Sequence, residues 1–123
     1  MSVGSADWLS GFTQAIDTRD VDELLPYFAV DASFRYGNRP AMIGHDQIRD
    51  GIGAFYSGIS GISHTAPHQC QPSDDVLVAE FLTDYRRLDG QVVTLPGMGV
   101  FEFKDGLIQD YRVYADVMPV FAP

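Results

Sequence analysis

A chain of 123 residues with 46% hydrophobic and 20% charged side chains has the composition of one soluble domain with a single core. Its net charge of −9, from 17 acids against 8 Lys and Arg, argues against nucleic acid and anionic membrane as partners, since both require a basic face. The single Cys70 excludes an internal disulfide. No apolar run is long enough for a bilayer and the start carries no basic or apolar leader, so the cytoplasm is the expected compartment.

Residues 5–17 read as a helix, with Trp8, Leu9, Phe12, Ala15 and Ile16 on one face and Ser5 as its cap. Asp20 and Glu23 have the spacing of a capping box and open a short second helix, which Pro26 should kink or end. Residues 32–36 form a short strand, and Gly37, Asn38, Arg39 and Pro40 mark an irregular connection. The third helix covers residues 46–56, with Ile48, Ile52 and Phe55 on one face and Ile59 continuing the stripe. Gly51 and Gly53 weaken it by about 1 kcal/mol each relative to Ala, and they either admit a close neighbour or mark a loose surface turn. Residues 62–70 are extended, and Pro67 makes this an edge strand or one with a bulge.

Three β-rich runs follow, at 76–87, 92–103 and 107–116, joined by Asp89-Gly90 and Asp105-Gly106, residue pairs that tolerate positive φ. They make an antiparallel meander. Helices in the first half and a long antiparallel sheet in the second give the α+β class. Alternation puts Leu77, Ala79, Phe81, Thr83 and Tyr85 on one face of the first run, and Glu80, Leu82, Asp84 and Arg86 on the other. In the last run Tyr111, Val113 and Ala115 oppose Asp110, Arg112, Tyr114 and Asp116, and Ile108 stands apart from this charged set. The core is expected to hold Leu77, Phe81, Leu95, Phe101, Ile108 and Val113 against Trp8, Phe12, Ile48, Ile52 and Phe55.

Candidate chemistry is sparse. Asp17 follows the first helix's apolar stripe and could reach a cavity, or it is a solvated helix end near Arg19. Tyr36 ends a strand, where a phenol could donate to a carbonyl or hold a water, or could be a core aromatic with its hydroxyl tied off. His64 could shuttle a proton near neutral pH, or be a hydrogen-bonded wall residue. Asn38 is most simply a turn residue. His64 and His68 lie four residues apart on a strand, roughly 13 Å, too far to share a metal ion. His45 belongs to the start of the third helix, so no metal is expected.

The stretches 16–24 (IDTRDVDEL), 28–34 (FAVDASF), 43–48 (IGHDQI), 101–108 (FEFKDGLI) and 111–116 (YRVYAD), in this order and spacing, resemble the SnoaL-like branch of the nuclear transport factor 2-like superfamily. The resemblance covers nearly the whole chain. It implies a cone, in which a curved sheet wraps over three helices with a cavity at the open end. It also implies kinship with ketosteroid isomerases, polyketide cyclases, limonene-epoxide hydrolases and scytalone dehydratase, which need no cofactor.

Three of those catalytic sets are incomplete. The epoxide hydrolases' Arg and Asp align with Phe81 and Thr83, and their second carboxylate, like the cyclases' acid–base Asp, aligns with Val113. The isomerases' base aligns with Tyr36, and their oxyanion Tyr and Asp with Phe12 and Gly99. Tyr36 and Asn38 resemble the epoxide hydrolases' water-holding pair, while Asp17, Tyr36 and His64 resemble the dehydratase's Asp, Tyr and one His, its other His and its Asn having no counterpart.

The resemblance thus implies a cofactor-free isomerase, cyclase or dehydratase acting on a small hydrophobic carbonyl or polycyclic molecule. Tyr36, His64 and Asp17 would be its catalytic groups. Asn38, Phe55, Phe81, Thr83, Tyr85, Phe101, Tyr111 and Val113 would line its substrate site. The alternative is a pocket domain that binds without turnover. A homodimer through the outer sheet face is expected from Leu82 and Tyr114 among the charges there, and from the family's habit of pairing through the sheet.

Overall fold

The computed structural model describes residues 2–123. Helix α1 (Ala6–Asp17) starts where Ser5 accepts a hydrogen bond from the Trp8 amide. Asp20 caps the short α2 (Val21–Leu24) by accepting from the Asp22 amide, so the cap is local and Glu23 does not close a box. Pro26 converts the chain to a single 3₁₀ turn at Leu25–Tyr27, and strand β1 (Phe28–Tyr36) follows directly. A two-residue strand β2 (Met42–Ile43) leads into α3 (Gly44–Ser57). Strands β3 (Ile59–Ser73), β4 (Val76–Arg87), β5 (Val92–Lys104) and β6 (Leu107–Tyr114) complete the sheet, and α4 (Met118–Phe121) ends the chain.

The architecture is α+β: one curved, unclosed sheet of six strands in the order β2-β1-β6-β5-β4-β3, with the helices against one face. The meander of β4, β5 and β6 is antiparallel, but β1 inserts beside β6 in parallel, pairing Phe34 with Tyr111 and Tyr36 with Val113. β3 is an edge, and its register breaks between Thr65 and His68, around Pro67, as expected for a residue without an amide donor.

The two hairpins differ. At Asp105 and Gly106 both φ angles are positive, 53° and 79°, as a two-residue turn requires. At the other, only Gly90 is left-handed (φ 90°). Gly90 donates to Arg87 and Arg87 to Gln91, so Leu88, Asp89 and Gly90 form a three-residue loop.

Leu77, Ala79, Phe81, Thr83 and Tyr85 are all buried, which fixes the register of β4. One expectation fails on local grounds. Ile59 is fully buried, but as the first residue of β3, because α3 stops at Gly58. Ile108 is buried as expected, together with Tyr111 and Val113, and a register shift between Glu102 and Phe103 interrupts strict alternation there. Leu95, Trp8, Ile52 and Phe55 are only half-buried.

The core is in two parts. The larger joins α1 (Leu9, Phe12) to Phe28, Phe34, Leu77, Phe81, Phe101, Ile108 and Tyr111. Phe12 stacks on Trp8 and meets Phe101 edge-on at 5.2 Å, while Phe101 stacks on Tyr111 at 4.1 Å. The smaller holds Tyr56, Ile59, Tyr85, Val117 and Val120. Val117 and Val120 bring the C-terminal turn into this second cluster, with Phe121 edge-on to Phe55 at 5.6 Å.

Candidate functional site

The gap between the two clusters is a cavity of about 310 Å³. Phe12, Phe34, Phe81, Tyr111 and Val113 wall it from the larger cluster, and Tyr56, Tyr85 and Val117 from the smaller. Its size lies at the lower end of small-molecule sites. Gly51 of α3 faces Met42, whose sulfur would lie 2.2 Å from a Cβ at that position, so this glycine admits a neighbour at the cavity wall. Nothing lies within 4 Å of a Cβ built at Gly53. Gly99 likewise yields its side-chain space to the Tyr111 ring, which a Cβ would meet at 2.7 Å. The isomerases' oxyanion Asp, aligned with Gly99, has an aromatic ring in its place here.

Cross-strand register sets the polar groups. His64 lies opposite Thr83, and Ile62 opposite Tyr85, so His64 takes the inward face of β3. The last residue of α1, Asp17, meets it there. Asp17 Oδ1 is 2.7 Å from His64 Nδ1, and Oδ2 accepts the His64 backbone N–H at 3.0 Å. A carboxylate only accepts, so Nδ1 carries the proton, and in the neutral ring Nε2 keeps its lone pair. The ring stands edge-on to Phe81 at 5.6 Å.

An acid in the last turn opposes the helix dipole, and α1 has no basic residue there to offset it. The end of α1 is held instead from outside. The Tyr56 hydroxyl donates to the Ile16 carbonyl at 2.8 Å, and Arg19, at φ 58°, donates to the Ser60 and Tyr56 carbonyls. Asp17 is thereby fixed against β3 rather than left as a solvated helix end.

The Tyr36 and Tyr85 hydroxyls lie 3.0 Å apart. One proton is shared between them, leaving one O–H to donate elsewhere. Burial, reinforced by the neighbouring Tyr85, pushes the Tyr36 phenol far above its ordinary value, and burial raises Tyr85 as well. Both are therefore protonated hydrogen-bond donors at neutral pH, not bases. Tyr85 is two residues beyond Thr83 on one face of β4, a step of roughly 7 Å from the His64 level.

Tyr36, His64, Phe55, Phe81, Thr83, Tyr85, Tyr111 and Val113 all line this one cavity, and Asp17 stands behind His64. Two expected wall residues do not. Asn38 is exposed on its turn, and Phe101 is fully buried beneath Tyr111, on the core side of that ring. Arg39 and Tyr56 belong to the site and were not foreseen. The signal for Arg39 was its place beside Asn38 in the connection after Tyr36. His68 pairs with Glu80 at 2.8 Å on the exposed side and so stands apart from His64. Among the described residues no helix is long and apolar enough to cross a membrane.

No curated protein matches the sequence. Solved structures do match the fold. A nuclear transport factor 2-like protein of unknown function from Burkholderia pseudomallei superposes with a TM-score of 0.87 at 16% identity, over 100% of both chains. A protein with a ketosteroid isomerase-like fold from Catenulispora acidiphila, in complex with trimethylamine, gives 0.84 at 15% identity, over 96% of this chain and 92% of that one. TerC, co-crystallized with polyporic acid, gives 0.79 at 15% identity, over 92% of both chains. At such identities the likeness shows the fold. The sequence itself matches the model of the SnoaL-like domain across residues 9–111, from α1 to the Tyr111 wall of the cavity, and the chain belongs to that family.

Proposed function

We propose that the protein is a cofactor-independent isomerase, dehydratase or cyclase acting on a small hydrophobic molecule that carries a carbonyl group. The observation that carries this reading is the pairing of an oriented histidine with a phenol donor on one apolar cavity. The Tyr36–Tyr85 pair donates to the substrate carbonyl oxygen. His64 Nε2 takes a proton from the carbon next to it, and the electron pair moves onto that oxygen. The imidazolium formed is stabilised by Asp17 and returns its proton, to another carbon in an isomerisation or to a departing hydroxyl in a dehydration that releases water. In a cyclisation the enolate carbon attacks a second carbonyl, whose oxygen takes the proton. Apolar walls strengthen each of these hydrogen bonds by excluding water. None of these routes needs an oxidant, a reductant or a group carrier, so no cofactor is required.

Proton exchange tests the chemistry without knowledge of the substrate. A panel of small aryl and cyclic ketones in D₂O is expected to exchange α-protons faster with the protein than in buffer. Tyr36→Phe should slow that exchange about 10²–10³-fold while leaving the melting temperature nearly unchanged. Ketones that bind, by thermal shift, yet exchange no faster than in buffer would instead support a binding domain without turnover. The absence of carboxylates at Thr83 and Val113 favours that second reading.

The outer sheet face supports self-association in a cytoplasmic homodimer. Met98 (43% exposed) stands opposite Tyr114 (51%) across β5 and β6, and Leu82 (45%) lies opposite Pro96, two residues along β4 from the Met98 partner Glu80. Light scattering at micromolar concentration is expected to return twice the chain mass, and a monomer mass would exclude this interface.

A further inference from the structure

We propose that Arg39 gives the cavity a preference for ligands that carry a carboxylate at the end nearest the mouth. The inference rests on reading the cavity as a small-molecule site, and it narrows the class of molecule. Among the residues that line the cavity, Arg39 is the one with a permanent charge; the others are apolar, hydroxyl-bearing or, at His64, an imidazole. The chain as a whole carries −9, and three of its other arginines are held in ion pairs. Arg49 lies beside Asp22 and Asp46, Arg87 beside Asp89, and Arg112 beside Glu102 and Asp110. The Arg39 side chain, like those of Arg35 and Arg86, has no ion-pair or hydrogen-bond partner among the described residues, but of these three Arg39 alone lines the cavity.

Its backbone is held in place. The Arg39 amide donates to the Tyr36 carbonyl at 3.2 Å, closing the turn at the end of β1. Gly37, at φ 57°, donates to the Val113 carbonyl at 2.8 Å, which ties that turn to β6. Pro40 follows and restricts Arg39 to extended conformations. Arg39 is exposed, lines the cavity near Tyr36, and so brings a permanent charge to the rim with its donors unspent among the described residues. A carboxylate matches that fork with two parallel hydrogen bonds. The ligand so described has an apolar body inside, an oxygen at Tyr36 and Tyr85, and an anionic end at the rim.

The test compares 2-naphthoate with 2-naphthamide, which share one apolar body and differ in charge. By calorimetry the carboxylate is expected to bind the wild-type protein about 10–100-fold tighter than the amide, the range of a charge-assisted pair. Arg39→Gln should bring the two affinities within about threefold of each other, and Arg39→Lys should restore part of the difference. Unchanged binding of the amide to Arg39→Gln reports that the variant is folded. Equal binding of both probes to the wild type, or a preference that survives Arg39→Gln, overturns the proposal and leaves the α-proton chemistry standing. Failure of both probes to bind overturns the cavity as a ligand site, and this proposal with it.

Discussion

Above about pH 10 the protein is expected to lose stability steeply and to be unfolded by about pH 12. The cause is the set of phenols around the cavity. Tyr36, Tyr56, Tyr85 and Tyr111 are all pushed upward, in each case chiefly by burial; Asp17 adds to the effect at Tyr56, and Tyr85 adds to it at Tyr36 and Tyr111. In the unfolded chain a tyrosine ionises near pH 10, whereas these four keep their protons in the fold. Between those limits the unfolded state binds fewer protons than the native one, so stability falls as pH rises. Below the unfolded value the four contribute no slope. Above it, Tyr36, Tyr56 and Tyr111 each contribute up to about 1.4 kcal/mol per pH unit, about 4 kcal/mol per unit together, and Tyr85 acts in the same direction. A domain of this size has only about 5–15 kcal/mol to lose. Tyrosinate absorbance and far-ultraviolet circular dichroism, followed together, check this. The two should change in a single step, and Tyr36→Phe should make the decline shallower by about one group's share. Ionisation of these four phenols well before the loss of helix signal would show that water reaches the cavity freely.

The meander was legible because its signals are local. Asp105 and Gly106 adopt the positive φ values their residue types invite, and the alternation from Leu77 to Tyr85 reports one buried face without interruption. What failed to show in the sequence was set by partners far along the chain or by very short elements. The bulge near Glu102 and Phe103 carries no glycine or proline to announce it, although Ile108 beside it is expected in the core. Ile59 continued a helical spacing that Gly58 had already ended. β2 is two residues long and α4 four, too short for any period to register.

The site divides the same way. Tyr36, His64 and Asp17 could each be named as chemically capable. Their grouping is expected from the family resemblance and not from spacing, because Tyr36 meets Tyr85 across 49 positions and Asp17 meets His64 across 47. Those encounters depend on β1 lying parallel to β6 and on α1 ending against β3. Asn38 and Phe101 illustrate the converse. One sits in a suitable stretch and the other on a suitable face, yet the turn carries Asn38 outward, and the Tyr111 ring separates Phe101 from the cavity.

Asp17→Asn is expected to abolish the proposed base while keeping the fold, which makes it a sharper test than removing the histidine. The wild-type carboxylate accepts twice from His64, once from the backbone N–H and once from Nδ1. An asparagine has one acceptor and one donor in the same places. The backbone N–H can only donate, so the amide oxygen must stay on it, and the amide N–H₂ is turned towards Nδ1. Nδ1 must then give up its proton, and the proton moves to Nε2, converting the nitrogen that faces the substrate from a base into a donor. Loss of the correct tautomer is expected to cut α-proton exchange about 10³–10⁴-fold, comparable with the loss in His64→Ala. Stability should hardly change, since one hydrogen bond is kept and the other replaced. Asp17→Ala behaves differently: it leaves the His64 amide without a partner and should cost about 1–3 kcal/mol besides the activity. Nitrogen chemical shifts of a labelled His64 ring would report the tautomer directly. If Asp17→Asn shows the proton on Nε2 and exchange continues at the wild-type rate, His64 is not the base, and the reaction, if there is one, runs through another group.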